Sequence, residues 1–206
     1  MQEFIVRDID NFHNLRWLDE YMIGHKGFIA GGCFKNIFNK QKVKDIDIFF
    51  NNIEDFYEAQ RYYEDNDDYY NYYENKKVVA FKHKDREGHI ELIRSVFGTP
   101  EEIINGFDFS ITKFAYFKSI EQNEDEEDKI TYKIIHHKDF FEHMFMKRLV
   151  VNKELKYPNG TFERMIRYIT YGYTPCKETK MNIINAIKNN TNEADKISQS
   201  LYEGLD

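Results

Sequence analysis

The stretch that most constrains this chain runs from Gly31-Gly32-Cys33-Phe34-Lys35 to Lys44-Asp45-Ile46-Asp47-Ile48-Phe49-Phe50. Phe28-Ile29-Ala30 reads as a short apolar strand leading into the double glycine. A short helix over 32–39 and a polar loop follow, and a β-type run over 45–50 then carries two aspartates one residue apart. Alternate side chains of a strand share a face, so Asp45 and Asp47 point one way while Ile46 and Ile48 point into the core. Two carboxylates so close repel unless a cation lies between them, and hard oxygen ligands suit Mg²⁺. The glycines let backbone N–H groups approach a phosphate, and the helix start beyond them adds its dipole. A phosphate cradle beside a carboxylate pair is what a magnesium–nucleotide site requires. An isolated Asp-x-Asp is more often a solvated strand end; the glycines before it and Glu91 and Asp108 after it favour the metal site here.

The 206 residues suffice for one domain, or one with a helical appendage, and the many Phe and Tyr can build its core. The charge of −7 argues against general nucleic-acid affinity, but it is uneven. Residues 129–190 hold twelve Lys/Arg against five Asp/Glu, a net of +7, which leaves −14 on the rest. That basic third suits a polyphosphate tail or an RNA end, or is simply a set of solvated helix faces. Cys33 and Cys176 form neither a disulfide framework nor a metal-ligand spacing, so a reducing compartment is expected. The N-terminus carries charges where a signal peptide is apolar, and no apolar run approaches the ~20 residues of a membrane span. These features predict a cytoplasmic protein with no membrane partner, in the host cytoplasm if the chain is viral.

Along the chain, residues 10–23 read as an amphipathic helix capped by Asp10 or Asn11, with Phe12, Leu15, Leu18 and Met22 as its stripe. Asn52 can cap a helix over 53–66. Seven tyrosines between Tyr57 and Tyr73 then flank the acidic run 64–68, and they either stack a base or ribose or pack a helix and hairpin. Residues 77–82 and 88–95 look like paired strands joined at Asp85-Arg86-Glu87-Gly88. Glu91 shares a face with His89 and Ile93 there, and without context it reads as an edge-strand residue. Pro100 starts a helix ended by Gly106. Asp108 follows between Phe107 and Phe109, where a charge needs a partner or a job. The acidic loop 121–129 reads as a mobile hairpin tip before a strand at 130–135, and from 137 the pattern is helical, over 137–149, 161–171, 175–190 and 192–203. His136, His137 and His143 lack partners at ligand spacing and read as surface residues of a helix start. Cys33, with no base close in sequence, reads as a packed residue behind the glycines.

Taken together, Gly31-Gly32-Cys33-Phe34-Lys35-Asn36, Lys44-Asp45-Ile46-Asp47 and Gly106-Phe107-Asp108-Phe109-Ser110-Ile111-Thr112-Lys113 resemble the DNA polymerase β-type nucleotidyltransferase superfamily. The pattern is most similar to the head of the bacterial poly(A) polymerases and CCA-adding enzymes, which carry Gly-Gly-x-x-Arg-Asp, Lys-Asp-x-Asp and Arg-Arg-Asp-Phe-Thr-Ile-Asn-Ala. The match covers 26–117 well and 160–175 weakly, where Arg164-Met165-Ile166-Arg167 echoes the Arg-x-x-Arg helix of that family's neck. The resemblance implies an α+β fold, a mixed sheet flanked by helices as head over 1–136, with a small helical, neck-like unit over 137–206. It implies a Mg²⁺-dependent enzyme, with Mn²⁺ as substitute, that moves NMP from an NTP such as ATP onto a hydroxyl and releases pyrophosphate. The acceptor would be a tRNA or other RNA 3′ end, a protein or a small molecule. Asp45, Asp47 and Glu91 would be the catalytic metal ligands. Gly31, Gly32, Lys35 and Lys44 would hold the phosphates, and Asp108 would touch the ribose or order the nucleotide pocket.

Two departures bear on this. Lys35-Asn36 stands for Arg-Asp, and Gly106-Phe107 for the two arginines, which weakens the nucleotide contacts. The length also leaves no room for the body and tail that grip tRNA, so a minimal transferase of the phage or toxin–antitoxin kind is expected rather than tRNA maturation. The other expectation is a catalytically inactive descendant that binds nucleotide, RNA or a host protein.

Overall fold

The computed structural model describes residues 3–121, 129–151 and 154–191. They divide into two compact units, 3–107 with 112–121 and 129–138, and 108–111 with 139–151 and 154–191. The first contains β1 (Phe4–Asp8), β2 (Phe28–Ala30), α1 (Cys33–Phe38), β3 (Asp45–Phe49), α2 (Ile53–Glu64), β4 (Tyr69–Glu74), β5 (Val78–His83), β6 (His89–Ile93), α3 (Pro100–Asn105), β7 (Phe114–Glu121) and β8 (Lys129–His137). Its eight strands form one sheet in the order β1-β8-β7-β2-β3-β6-β5-β4. Within that sheet β3 and β6 pair in parallel, and every other neighbouring pair is antiparallel. The chain thus adopts the expected α+β fold, a mixed sheet flanked by helices.

The two faces of the sheet follow from strand alternation. Ile46 and Ile48 of β3 and Ile90 and Leu92 of β6 are buried on one face. On that side Tyr63 of α2 stacks on Phe81 of β5 at 5.4 Å between centroids, and Phe56 of α2 meets Phe50 at 5.6 Å. The opposite face changes character along the strands. Asp45, Asp47 and Glu91 come first, and Phe49 and Ile93 follow, where Ile103 and Ile104 of α3 pack with Phe28, Ala30 and Ala115. The carboxylates therefore stand at the end of the sheet that α3 does not seal. Asn52 caps α2 by accepting from the Asp55 amide at 2.9 Å, and Thr99 and Glu102 form a capping box on α3.

Several expectations are corrected. Residues 9–22 form two 3-10 helices, Ile9–Asn11 and His13–Met22, with no side-chain cap. Leu15, Leu18 and Met22 of the expected stripe are buried, and spacings of three and four residues do not by themselves tell a 3-10 from an α-helix. β6 lies between β3 and β5, so Glu91 is an interior residue and not an edge one. His136 and His137 are buried on β8, where the His136 ring stacks on Phe114 at 5.7 Å.

The second unit contains α4 (Phe140–Phe145), β9 (Arg148–Leu149), α5 (Pro158–Thr170), β10 (Thr174–Pro175) and α6 (Lys177–Lys188). It is not all helical, because β9 and β10 pair in parallel. The helix expected over 137–149 stops early: Lys147 has φ 51°, a left-handed conformation that ends α4 and turns the chain into β9. His143 is buried, with Nδ1 2.8 Å from the Ser110 hydroxyl, and is no surface residue. The expected helix over 192–203 and the tip 122–128 lie outside the described residues.

Gly88 ties the β5–β6 turn to the start of β3. It has φ +90°, and a Cβ there would lie 2.8 Å from the Lys44 carbonyl oxygen, which accepts from the His89 amide at 3.0 Å. Gly88→Ala should cost about 1–3 kcal/mol. A fall of several degrees in Tm with the fold retained checks this, and an unchanged Tm contradicts it.

Candidate active site

Strand register builds the site. In the parallel β3–β6 pair Asp45 stands opposite His89 and Asp47 opposite Glu91. The level of Asp47 and Glu91 continues through Ala80 of β5 to Tyr73 of β4. Ala80 is small, so the Tyr73 ring passes over it and its hydroxyl donates to Glu91 Oε1 at 2.5 Å. His89 Nε2 lies 2.9 Å from the same oxygen. A β-bulge between Asn71 and Tyr73 makes this possible by shifting Tyr73 onto the carboxylate face. Burial first, and then the bond to Glu91, pushes the Tyr73 phenol up, which keeps it a proton donor. Neither the bulge nor the reach across two strands is visible in the tyrosine run. His89, two residues before Glu91 in a strand, was legible as its neighbour.

The electrostatics are those of crowded anions. Burial, then the charges of Glu91 and Asp45, then a hydrogen bond with Glu91 push the Asp47 carboxyl well above the usual carboxylate range. Among the described residues no three His, Cys, Asp or Glu are grouped as a metal-ligand set. That is consistent with an open site, because Mg²⁺ binds through one or two carboxylates and completes its shell with water and substrate phosphates. Asp47 and Glu91, opposite each other across β3 and β6, offer the one or two carboxylates such an ion needs, and a cation there would relieve the pressure on Asp47.

Gly31 ends β2 with φ +103°, and a Cβ there would lie 3.5 Å from Asp47 Oδ2, so a turn favouring glycine brings the backbone against the carboxylate. The Gly31 amide donates to the Phe114 carbonyl at 3.0 Å, so that N–H is already engaged within the sheet. Gly32 is the N-cap of α1. Lys35, on α1, is buried and donates to Asn36 Oδ1 at 2.5 Å. Lys44 is exposed just before β3. Cys33 is buried, and burial followed by the nearby Asp47 charge pushes its thiol up, the reverse of an activated nucleophile.

Asp108 belongs to the second unit. Its Oδ2 accepts from Arg164 Nε at 2.7 Å and Nη2 at 2.6 Å, so this half-buried charge has its partner on α5.

A family model described as Gad2, Gabija anti-defense 2 family protein, matches residues 8–147. The chain belongs to the Gabija anti-defense 2 family. A relative named Gabija anti-defense 2, from Bacillus phage SPbetaL7, is 26% identical over 170 residues, which cover 81% of this chain and 38% of the relative. Among solved structures, a CCA-adding enzyme with CTP aligns at TM-score 0.60 and 18% identity, over 91% of this chain and 46% of that one. The Thermotoga maritima CCA-adding enzyme complexed with tRNA gives a TM-score of 0.56 at 18% identity, over 91% and 46%. A CCA-adding enzyme with ATP gives 0.57 at 17%, over 91% and 47%. The chain therefore has the nucleotidyltransferase fold that its motifs implied, and it spans less than half the length of these proteins. Among its described residues no helix is long and apolar enough to cross a membrane.

Two predictions follow from the charges. A carboxyl raised on folding holds its proton more tightly in the folded chain. Its stability contribution is therefore best below the ordinary value of 3.8 and declines as pH rises toward the raised folded value. Asp47→Asn removes that penalty and should raise the metal-free Tm near pH 7 by about 1–3 °C. The gain should vanish near pH 4, and Mg²⁺ should raise the Tm of the wild type more than that of the variant. Calorimetry across pH checks the sign, and a lower Tm for the variant at pH 7 contradicts it. In the second unit, Arg164→Ala strands Asp108 and should cost about 1–3 kcal/mol, recovered in part by adding Asp108→Asn. Denaturant titration of the three variants reads this coupling.

Proposed function

We propose that the chain is a nucleotidyltransferase that moves NMP from an NTP onto a hydroxyl acceptor with release of pyrophosphate. The observation that supports this most is the register bringing Asp45, Asp47 and Glu91 to one face beside the left-handed Gly31 turn. Asp45, Asp47 and Glu91 would hold Mg²⁺ or Mn²⁺, with Tyr73 and His89 fixing the direction of Glu91. A divalent ion bound there supplies charge that acidifies the acceptor hydroxyl and stabilises the departing phosphates. The Gly31-Gly32 turn admits the triphosphate close to the backbone, and Lys35 and Lys44 offset its β- and γ-charges. The acceptor oxygen forms its bond to the α-phosphorus as the α–β phosphoanhydride bond breaks. Pyrophosphate leaves with that electron pair, and the hydroxyl proton passes to solvent. The family's name speaks of anti-defense against Gabija, and on this reading the transfer is how a phage-encoded member acts in the cytoplasm of its host.

A second reading, binding without catalysis, is favoured by two observations. Glu91 Oε1 already has two partners, and Gly31 offers no free amide. Incubation with labelled NTPs, Mg²⁺ or Mn²⁺ and either bulk tRNA or cell extract separates the two. Label should move to an acceptor with the wild type, and Asp45→Ala/Asp47→Ala should reduce this by about a hundredfold or more. Absence of transfer, with nucleotide affinity unchanged in the variant, supports the binder and sinks the enzyme.

A further inference from the structure

The carboxylate face continues beyond Glu91 into a group of residues that the proposed chemistry does not use. Tyr72 is the residue inserted by the bulge in β4, and its side chain is 51% exposed although large and aromatic. It is not loose. Its ring meets His89 at 5.4 Å and Tyr73 at 5.6 Å, and Lys82 Nζ stands 5.4 Å from its centroid. Tyr70, 44% exposed, pairs with Lys82 and so shares this face. The ring is propped against the two residues that hold Glu91, with a cation beside it. An exposed aromatic in a fixed pose beside a lysine is the chemistry that receives a flat base carrying a phosphate.

Sheet order says which substrate the shelf would serve. The Gly31 turn follows β2, and the order across the sheet is β2-β3-β6-β5-β4. The carboxylates of β3 and β6 thus lie between the glycine turn and the shelf. In phosphoryl transfer the attacking and leaving oxygens lie roughly in line across the phosphorus. If pyrophosphate departs toward the glycine turn, the attacking hydroxyl comes from the side of Glu91 and β4.

We propose that Tyr72, with Tyr70 and Lys82, is a base-stacking shelf for the acceptor, and that the acceptor is the end of a single-stranded polynucleotide rather than a protein side chain. Its assignment to the acceptor rests on the transferase reading, whereas the shelf as a binding site does not.

The test is fluorescence anisotropy of a labelled octa-adenylate RNA with the full chain, free of metal and NTP, so that binding is read apart from transfer. The wild type should bind, and Tyr72→Ala should weaken binding on the order of tenfold, with Tyr72→Phe restoring it. Lys82→Gln should weaken binding and flatten its salt dependence. An abasic ribose-phosphate strand of equal length and charge should bind the wild type no better than the octamer binds Tyr72→Ala. The transfer-dead Asp45→Asn/Asp47→Asn variant should bind the octamer at least as tightly as the wild type. No binding by the wild type, equal binding by Tyr72→Ala, or equal binding of the abasic strand overturns the shelf. Label transfer to protein that survives Tyr72→Ala at full rate overturns it while leaving the transferase standing. Tyr72-dependent binding with no transfer by any variant upholds the shelf and overturns the transferase instead.

Discussion

Everything about the carboxylate face depends on the parallel register of β3 with β6, and that register is set by the other side of the sheet. Ile46, Ile48, Ile90 and Leu92 are buried there, on the side that α2 covers. Burying each contributes about 1.5–3 kcal/mol, whereas like charges facing across strands cost at most about 1 kcal/mol. A slip of one residue would drive the carboxylates inward and the isoleucines outward, so the apolar face wins and the anions are held together against their repulsion. The crowding that raises Asp47 is thus a consequence of core packing.

The support around Glu91 follows the same logic one strand further out. Ala80 leaves the space, the bulge in β4 sets the direction, and Tyr73 and His89 converge on one carboxylate oxygen. Two contacts on one oxygen fix the direction of the Glu91 carboxylate. The same bulge throws Tyr72 outward, so one irregularity in an edge strand both anchors the site and furnishes its neighbouring surface.

The sequence was legible where one physical rule governed a local stretch. Alternation alone places Asp45, Asp47 and Glu91 on strand faces, Asn52 caps its helix, and Gly106 ends α3. It was silent or misleading where tertiary context decided. An apolar stripe such as Leu15, Leu18 and Met22 cannot tell a 3-10 from an α-helix, and Lys147 gives no warning that it will adopt a left-handed conformation. A bulge is invisible in a run of tyrosines, because alternation counts residues and a bulge breaks the count. His136 and His143 looked exposed because they are polar, but the Phe114 ring and the Ser110 hydroxyl give them buried surroundings. Asp108 needed a partner, and only folding identifies it as Arg164.

The substitution of Gly106-Phe107 for a pair of arginines has a physical sequel. Phe107 packs on Phe49 at 5.7 Å and lies 3.7 Å from where a Gly31 Cβ would stand, so it extends the apolar end of the carboxylate face toward the glycine turn. A guanidinium at that place would have supplied fixed positive charge, and a phenyl ring supplies none. The balance of charge on this face must come from lysines or from a bound cation. Lys44 is exposed to water, where its charge is screened. On the transferase reading, a face holding Asp45, Asp47 and Glu91 without the arginines would lean harder on a divalent ion than one that keeps them.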